Sequence, residues 1–116
     1  MKLKGSKTEE EYRQLLTKSN EDFFSNSKYY PIIDELKKEV HNTFSAYIID
    51  WIPEQEEELF DILISENCIL KVLLKHDEGV AVITDALTLS QYCKGLSQRY
   101  RIKLAVALDL LKNHDQ

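Results

Sequence analysis

From residue 102 to residue 111 the chain reads Ile-Lys-Leu-Ala-Val-Ala-Leu-Asp-Leu-Leu, and on a helix that segment is apolar nearly all round. A helix with one wet face carries a single apolar stripe, whereas one that is apolar on most sides must be buried on more than one. The simplest environment is between a sheet and other helices, so the chain has to supply both. Ser97 precedes the segment as its expected N-cap. Upstream, Thr88-Leu89-Ser90-Gln91 has capping-box spacing, and Leu89, Tyr92, Cys93 and Leu96 follow on one helical face.

The sheet is sought in the middle of the chain, where the period changes from helical to alternating. Phe44-Ser45-Ala46-Tyr47-Ile48-Ile49-Asp50-Trp51-Ile52 is rich in β-branched and aromatic residues, and Pro53 stops it. Residues 59–64 and 68–74 are two further apolar runs flanking Ser65-Glu66-Asn67. A one-residue slip between two strands exchanges their faces, so the faces select the register. A two-residue loop would set Asp61 opposite Val72 on the apolar side. A three-residue loop, with Asn67 in the left-handed region, pairs Ile64 with Cys68, Ile62 with Leu70 and Phe60 with Val72, and sets Asp61 against Lys71. That register is the expected one. Gly79-Val80-Ala81-Val82-Ile83 supplies a short fourth strand.

Two helices precede the strands. Thr8-Glu9-Glu10-Glu11 reads as a capping box, and Tyr12, Leu15, Leu16 and Phe23 recur at helical spacing, which predicts a helix over 9–24. Ser25-Asn26-Ser27 breaks it. Pro31 is expected at the first position of a second helix that carries Ile32, Ile33, Leu36 and Val40 and ends near Asn42. The resulting class is α+β: two N-terminal helices, a three- to four-stranded antiparallel meander, and C-terminal helices packed on the sheet. At 116 residues it is expected to be a single domain spanning 1–116. No apolar run reaches the roughly 18–20 residues of a membrane span. The basic start is not followed by an apolar stretch, so no secretory signal is expected. With Cys68 and Cys93 making no disulfide framework, a cytoplasmic location is expected.

Charge is distributed unevenly. Residues 1–43 carry eight basic and eight acidic side chains, residues 44–90 two against ten, and residues 91–116 five against two, within a net charge of −5. The acid therefore concentrates in the middle third, with Glu54-Gln55-Glu56-Glu57-Glu58 its densest run. Like charges grouped in a short loop repel, and interspersed lysines would have removed that cost. Tyr47 and the single tryptophan, Trp51, stand beside the run, and aromatics bordering charge are the composition of protein interfaces. Two readings stand for each feature: the run is a solvated loop or a docking surface, and Trp51 is a core anchor or part of that surface. An acidic patch repels nucleic acid and attracts basic proteins, nucleases among them, since those must themselves attract phosphate.

The chemistry of catalysis finds few candidates. His41, His76 and His114 are scattered, without HExxH or any i, i+4 ligand pair, and Cys68 and Cys93 fall on apolar faces where cysteine acts as a small hydrophobe. Glycines at 5, 79 and 95 build no phosphate loop. A non-enzymatic protein without cofactor or metal is expected. Residues 89–103 are similar in outline to a helix-turn-helix, with Gln98, Arg99, Arg101 and Lys103 as groove readers. Aligning Gly95 with the turn glycine, however, puts Gln91 where a small residue must pack and Arg101 where an apolar one is needed.

Ile48-Ile49-Asp50-Trp51-Ile52-Pro53-Glu54-Gln55, residues 59–64 and Arg101-Ile102-Lys103-Leu104-Ala105-Val106-Ala107-Leu108 together resemble the small bacterial immunity proteins paired with contact-dependent growth-inhibition toxins. The resemblance spans the C-terminal two-thirds of the chain. It implies a cytoplasmic, non-enzymatic inhibitor of one cognate toxin domain, which in that family is often a ribonuclease. The expected contact surface is Asp50, Trp51, Glu54, Glu56, Glu57 and Glu58, with Asp61 and Glu66 as further candidates. A small adaptor or regulatory interaction module, and a DNA-binding regulator using residues 89–103, are the alternatives.

Overall fold

The computed structural model describes residues 3, 5–39 and 45–114, with side chains for all of these but 39 and 114. The order of elements is α1 (Lys7–Ser25), a 3-10 turn (Ser27–Tyr29), α2 (Tyr30–Glu39), β1 (Tyr47–Pro53), β2 (Glu57–Ser65), β3 (Cys68–Lys75), β4 (Val80–Leu87), α3 (Leu89–Cys93) and α4 (Gln98–His114). The strands form one antiparallel sheet in the order β1-β2-β3-β4. This is the expected α+β meander, with helices from both ends of the chain flanking the sheet. Val40, His41, Phe44 and the expected helix end near Asn42 lie outside the described residues.

Both faces of the sheet are apolar where β2 turns into β3, because Ile62, Leu63 and Ile64 are buried consecutively and Ile69 and Leu70 answer them. Two layers of cover follow from that. On one face Phe60, Ile62, Leu70, Val72 and Ala81 pack with Ile32, Ile33 and Leu36 of α2 and with Phe23 of α1. On the other, Leu63, Ile69, Tyr47 and Ile49 pack with Tyr92 of α3, with Leu104, Val106, Ala107 and Leu111 of α4, and with Leu16 of α1. Helix α1 therefore contributes to both cores from beside β1, and α4 is enclosed by α1 and the sheet, which is why its sequence is apolar nearly all round.

The hairpin register agrees with the face argument: Phe60 pairs with Val72, Asp61 with Lys71 and Ile62 with Leu70. The turn itself differs. Ser65, rather than Ile64, pairs with Cys68, so Glu66-Asn67 is a two-residue turn and the extra residue is a bulge between Leu63 and Ser65. Asn67 is not left-handed. Its carboxamide oxygen accepts a hydrogen bond from Leu89 N–H at 3.0 Å, which ties the turn to the start of α3.

Element boundaries also move: β1 runs Tyr47–Pro53, so it starts after Ser45-Ala46 and takes in Pro53, and β2 begins at Glu57 rather than Leu59. Helix α1 begins two residues before the expected 9, capped by Ser6 rather than Thr8: Ser6 Oγ accepts from Glu9 N–H at 3.2 Å and Glu9 Oε1 accepts from Gly5 N–H at 3.0 Å. Gly5 holds φ +72°, a backbone favouring glycine, and this frames the earlier cap. Pro31 follows Tyr30 in α2 because the 3-10 turn leads directly into the helix. Strand β4 runs on to Leu87, beyond the expected Ile83. The capping box at Thr88 and Gln91 is present on both sides, at 2.9 and 3.2 Å.

The layering predicts unequal costs of truncation. Leu104→Ala, at a fully buried α4 position, should destabilise by about 2–5 kcal/mol in urea unfolding. Val82→Thr, at a position 43% exposed, should stay within about 0.5 kcal/mol of wild type.

Candidate functional site

A four-stranded meander places the β1–β2 loop and the β3–β4 turn at the same end of the sheet. The two are joined there, because His76 N–H donates to Glu56 O at 3.0 Å, while Glu54 N–H closes the β1–β2 loop on Glu57 O at 2.9 Å. Asp77 and Glu78, exposed on the β3–β4 turn, thus stand beside Glu54, Glu56 and Glu57. Lys75 lies 3.9 Å from Glu78, a loose pair that leaves the end strongly acidic. Asp77 and Glu78 were missed from the sequence because the contiguity of the two loops depends on a full-length β4 pairing with β3.

Glu58 is different from its neighbours. In the β2 alternation it shares the α2 face with Phe60 and Ile62, and its side chain is only 5% exposed. Lys28 Nζ lies 3.0 Å from Oε1, Trp51 Nε1–H donates to the same oxygen at 2.8 Å, and His76 Nε2 lies 2.6 Å from Oε2. Burial by itself raises the carboxyl pKa. The hydrogen bonds from Lys28 and Trp51, with the charges of Lys28 and His76, outweigh it and hold Glu58 below the ordinary carboxylate range. Glu58 is thus an internal hub that anchors the tryptophan through Oε1, while Oε2 is buried beside His76 without a hydrogen bond.

Trp51 is half exposed, at 50%, and so is not the core anchor. With its indole N–H fixed on Glu58 and Lys28 Nζ 6.0 Å from its ring, it is held in place at the surface. It lines a groove of about 530 Å³ between α1 and β1, floored by Ile48, Phe60 and Tyr29 and edged by Leu15, Lys18 and Asp22. Tyr47, the other aromatic beside the acidic run, is buried in the α4-side core.

Asp50 and Asp61 sit on the α4 side of the sheet. Asp61 pairs with Lys71 at 3.1 Å and accepts from Tyr92 Oη–H at 2.8 Å, so it is engaged within the protein. Burial and that hydrogen bond push the Tyr92 phenol upward. Asp50 accepts from Trp51 N–H at 2.9 Å and from Tyr100 Oη–H at 3.3 Å, and its charge raises the Tyr100 pKa. Glu66 occupies the β2–β3 turn at the opposite end, about 30 Å from Glu57 at some 3.3 Å per residue of strand. The structure therefore brings Trp51, Glu54, Glu56 and Glu57 toward one end, places Glu58 beneath them, sets Asp50 opposite Asp61 at mid-sheet on the α4 side, and separates Glu66.

The basic residues of the tail make contacts within the protein, although Arg99 and Arg101 stay exposed. Arg99 Nε–H donates to Tyr12 Oη at 2.7 Å, Arg101 donates to Leu96 O at 3.1 Å and Cys93 O at 3.0 Å, and burial lowers the Lys103 pKa. Helix α3 has five residues, short for the first helix of a helix-turn-helix. Among the described residues no group of three or more His, Cys, Asp or Glu side chains is arranged to hold a metal ion. No helix is long and apolar enough to cross a membrane among the residues described. Compared with known protein families, curated proteins and solved structures, the chain matches none of them.

The hub gives a signed pH dependence. With its folded pKa below the ordinary value of 4.5, Glu58 stabilises the fold above that pH and loses the contribution as pH falls through the folded value. Glu58→Gln should cost about 1.5–3 kcal/mol at neutral pH, the scale of hydrogen bonds to a charged group. Denaturant unfolding of both forms from pH 7 downward should show the gap narrowing below pH 4.5.

Proposed function

We propose that the protein is a non-enzymatic binding protein that takes a basic protein partner on the acidic end of its sheet, in the manner of an immunity protein covering a cognate nuclease toxin. The observation that carries the reading is the pairing of an exposed, immobilised Trp51 with carboxylates from two adjoining loops. Aromatic anchors with low conformational freedom contribute most of the energy of many interfaces. Surrounding carboxylates steer a cationic partner and make its association sensitive to salt. Asp50, Glu54, Glu56 and Glu57 would face the partner together with Asp77 and Glu78, while Glu58 keeps Trp51 in place. Substrate phosphates of a nuclease are the groups these carboxylates would imitate.

A protein partner suits the geometry better than DNA, since Arg99 and Arg101 are engaged with Tyr12 and with the carbonyls ending α3. An adaptor for a non-toxic basic protein would use the same surface, and genetic context separates the two.

The deciding experiment is co-expression with the C-terminal domain encoded by the neighbouring upstream gene, followed by growth and a pull-down across a salt series. Toxicity of that domain alone, rescue by this protein and a complex weakened by salt are the expected results. Glu56→Lys with Glu57→Lys should slow association several-fold and flatten its salt dependence. A harmless domain that forms no complex would transfer the proposal to the adaptor reading, and unchanged kinetics in the double variant would take the loop out of the interface.

A further inference from the structure

The strand register aligns four apolar side chains on the α4 side of the sheet: Ile52 pairs with Leu59, Leu59 with Leu73, and Leu73 with Val82. The row belongs to neither core. Ile52 is 49% exposed and Val82 43%, with Leu59 and Leu73 half-buried between them, and Val80 extends the patch at 42%. Helices α3 and α4 cover this face only at the other end, over Tyr47, Leu63, Ile69 and Leu87. Four strands spaced about 4.8 Å apart make the row roughly 14 Å long.

Charge borders the row on both sides, and the borders are acidic. Two residues along the strands toward α4 (three on β4, across its bulge), about 7 Å away, lies the row Asp50, Asp61, Lys71 and Asp85, in which Lys71 is matched by Asp61. Two residues the other way lie Glu57 and Lys75, with Lys75 facing Glu78. Within these rows Asp50, Asp85 and Glu57 are left in excess, although Asp50 also accepts from Tyr100 and feels the charge of Lys103 on α4. A second copy of this chain would bring these same acids against one another, whereas an apolar ridge flanked by cations would meet complementary charge on either side.

We infer that the Ile52–Leu59–Leu73–Val82 row is a docking strip for a basic amphipathic segment of the partner protein, whose apolar side chains lie on the row while its lysines or arginines reach Asp50, Asp85 and Glu57. The inference rests on the basic-partner reading above and assigns the apolar part of that contact to the α4 side of the sheet. A helical segment of about ten residues spans such a length at 1.5 Å per residue.

The test uses the intact protein and a synthetic helix of about 14 residues with leucine at i, i+3, i+4 and i+7 and lysine elsewhere, read by amide chemical shifts and titration. A second peptide replaces every lysine with glutamate. Shifts centred on Ile52, Leu59, Leu73 and Val82, about tenfold weaker binding to the Ile52→Thr, Val82→Thr double variant, and at least tenfold weaker binding of the glutamate peptide are expected. Threonine keeps the branching that strands favour, so the variant retains the sheet. Equal affinity for the double variant, with shifts confined to the Glu54–Glu57 loop, would overturn the strip and leave the basic-partner reading standing. Equal affinity for the glutamate peptide would overturn both. Self-association abolished by the double variant would give the row to a second copy and overturn the proposal.

Discussion

The structure depends on the burial of both faces of β2 and β3 at one end of the sheet and of only one face at the other. Near the Glu66-Asn67 turn, Ile62, Leu63 and Ile64 are all inside, so helices must lie above and below. At the loop end the same strands carry Phe60 and Leu74 on the α2 face but Leu59 and Leu73 on a face without such cover among the described residues. Burial of apolar area supplies the main stabilising term, roughly 25 cal/mol per Å², and it is concentrated where the layers are complete. The loop end also has a polar support, the Glu58 carboxylate paired with Lys28 and bonded to the Trp51 indole, with His76 beside it. That division leaves one end of the sheet covered on both faces and the other with an apolar row exposed.

Helix α1 makes the two-layered arrangement possible from a single element. It lies beside the edge strand β1, sending Leu16 to one core and Phe23 to the other. An uncovered edge would offer unpaired backbone groups to another strand. The space between α1 and β1 remains as the groove edged by Trp51, so the same packing that covers the edge leaves a recess beside the exposed indole. The groove opens on the α2 side and the apolar row lies on the α4 side, with the acidic loops at the end between them.

Much of the architecture was legible because alternation and register are strict. The pairing of Asp61 with Lys71 followed from keeping apolar residues on one face, and the capping box at Thr88 specified the start of α3. The errors arose where two local solutions compete. Ser6-Lys7-Thr8-Glu9 and Thr8-Glu9-Glu10-Glu11 have the same box spacing, and Gly5 allows the earlier one. Asn67 was expected to bend the turn through its own backbone, but its side chain is bound to Leu89, and a bulge at Ile64 takes up the extra residue. Among the glutamates, Glu58 stands two residues before Phe60 within the strand, whereas Glu57 falls on the opposite face and Glu56 precedes the start of β2. Composition grouped all of them together, whereas alternation assigns Glu58 to the interior.

That assignment gives the acidic surface its physical logic. A cluster of carboxylates alone is hydrated and mobile, and each exposed pair contributes little to affinity. Placing one carboxylate underneath, in contact with Lys28, His76 and the indole, converts part of the charge into a fixed scaffold. The scaffold reduces the ordering cost of Trp51 before any partner arrives, which is the way preorganisation strengthens binding without adding contact area. The remaining carboxylates stay free to attract charge at long range, and the apolar surfaces nearby act at contact distance. Long-range attraction sets the rate of encounter and short-range burial sets the lifetime of a complex, so under the proposed function an acidic end bearing both kinds of surface would serve fast and durable capture of a basic protein.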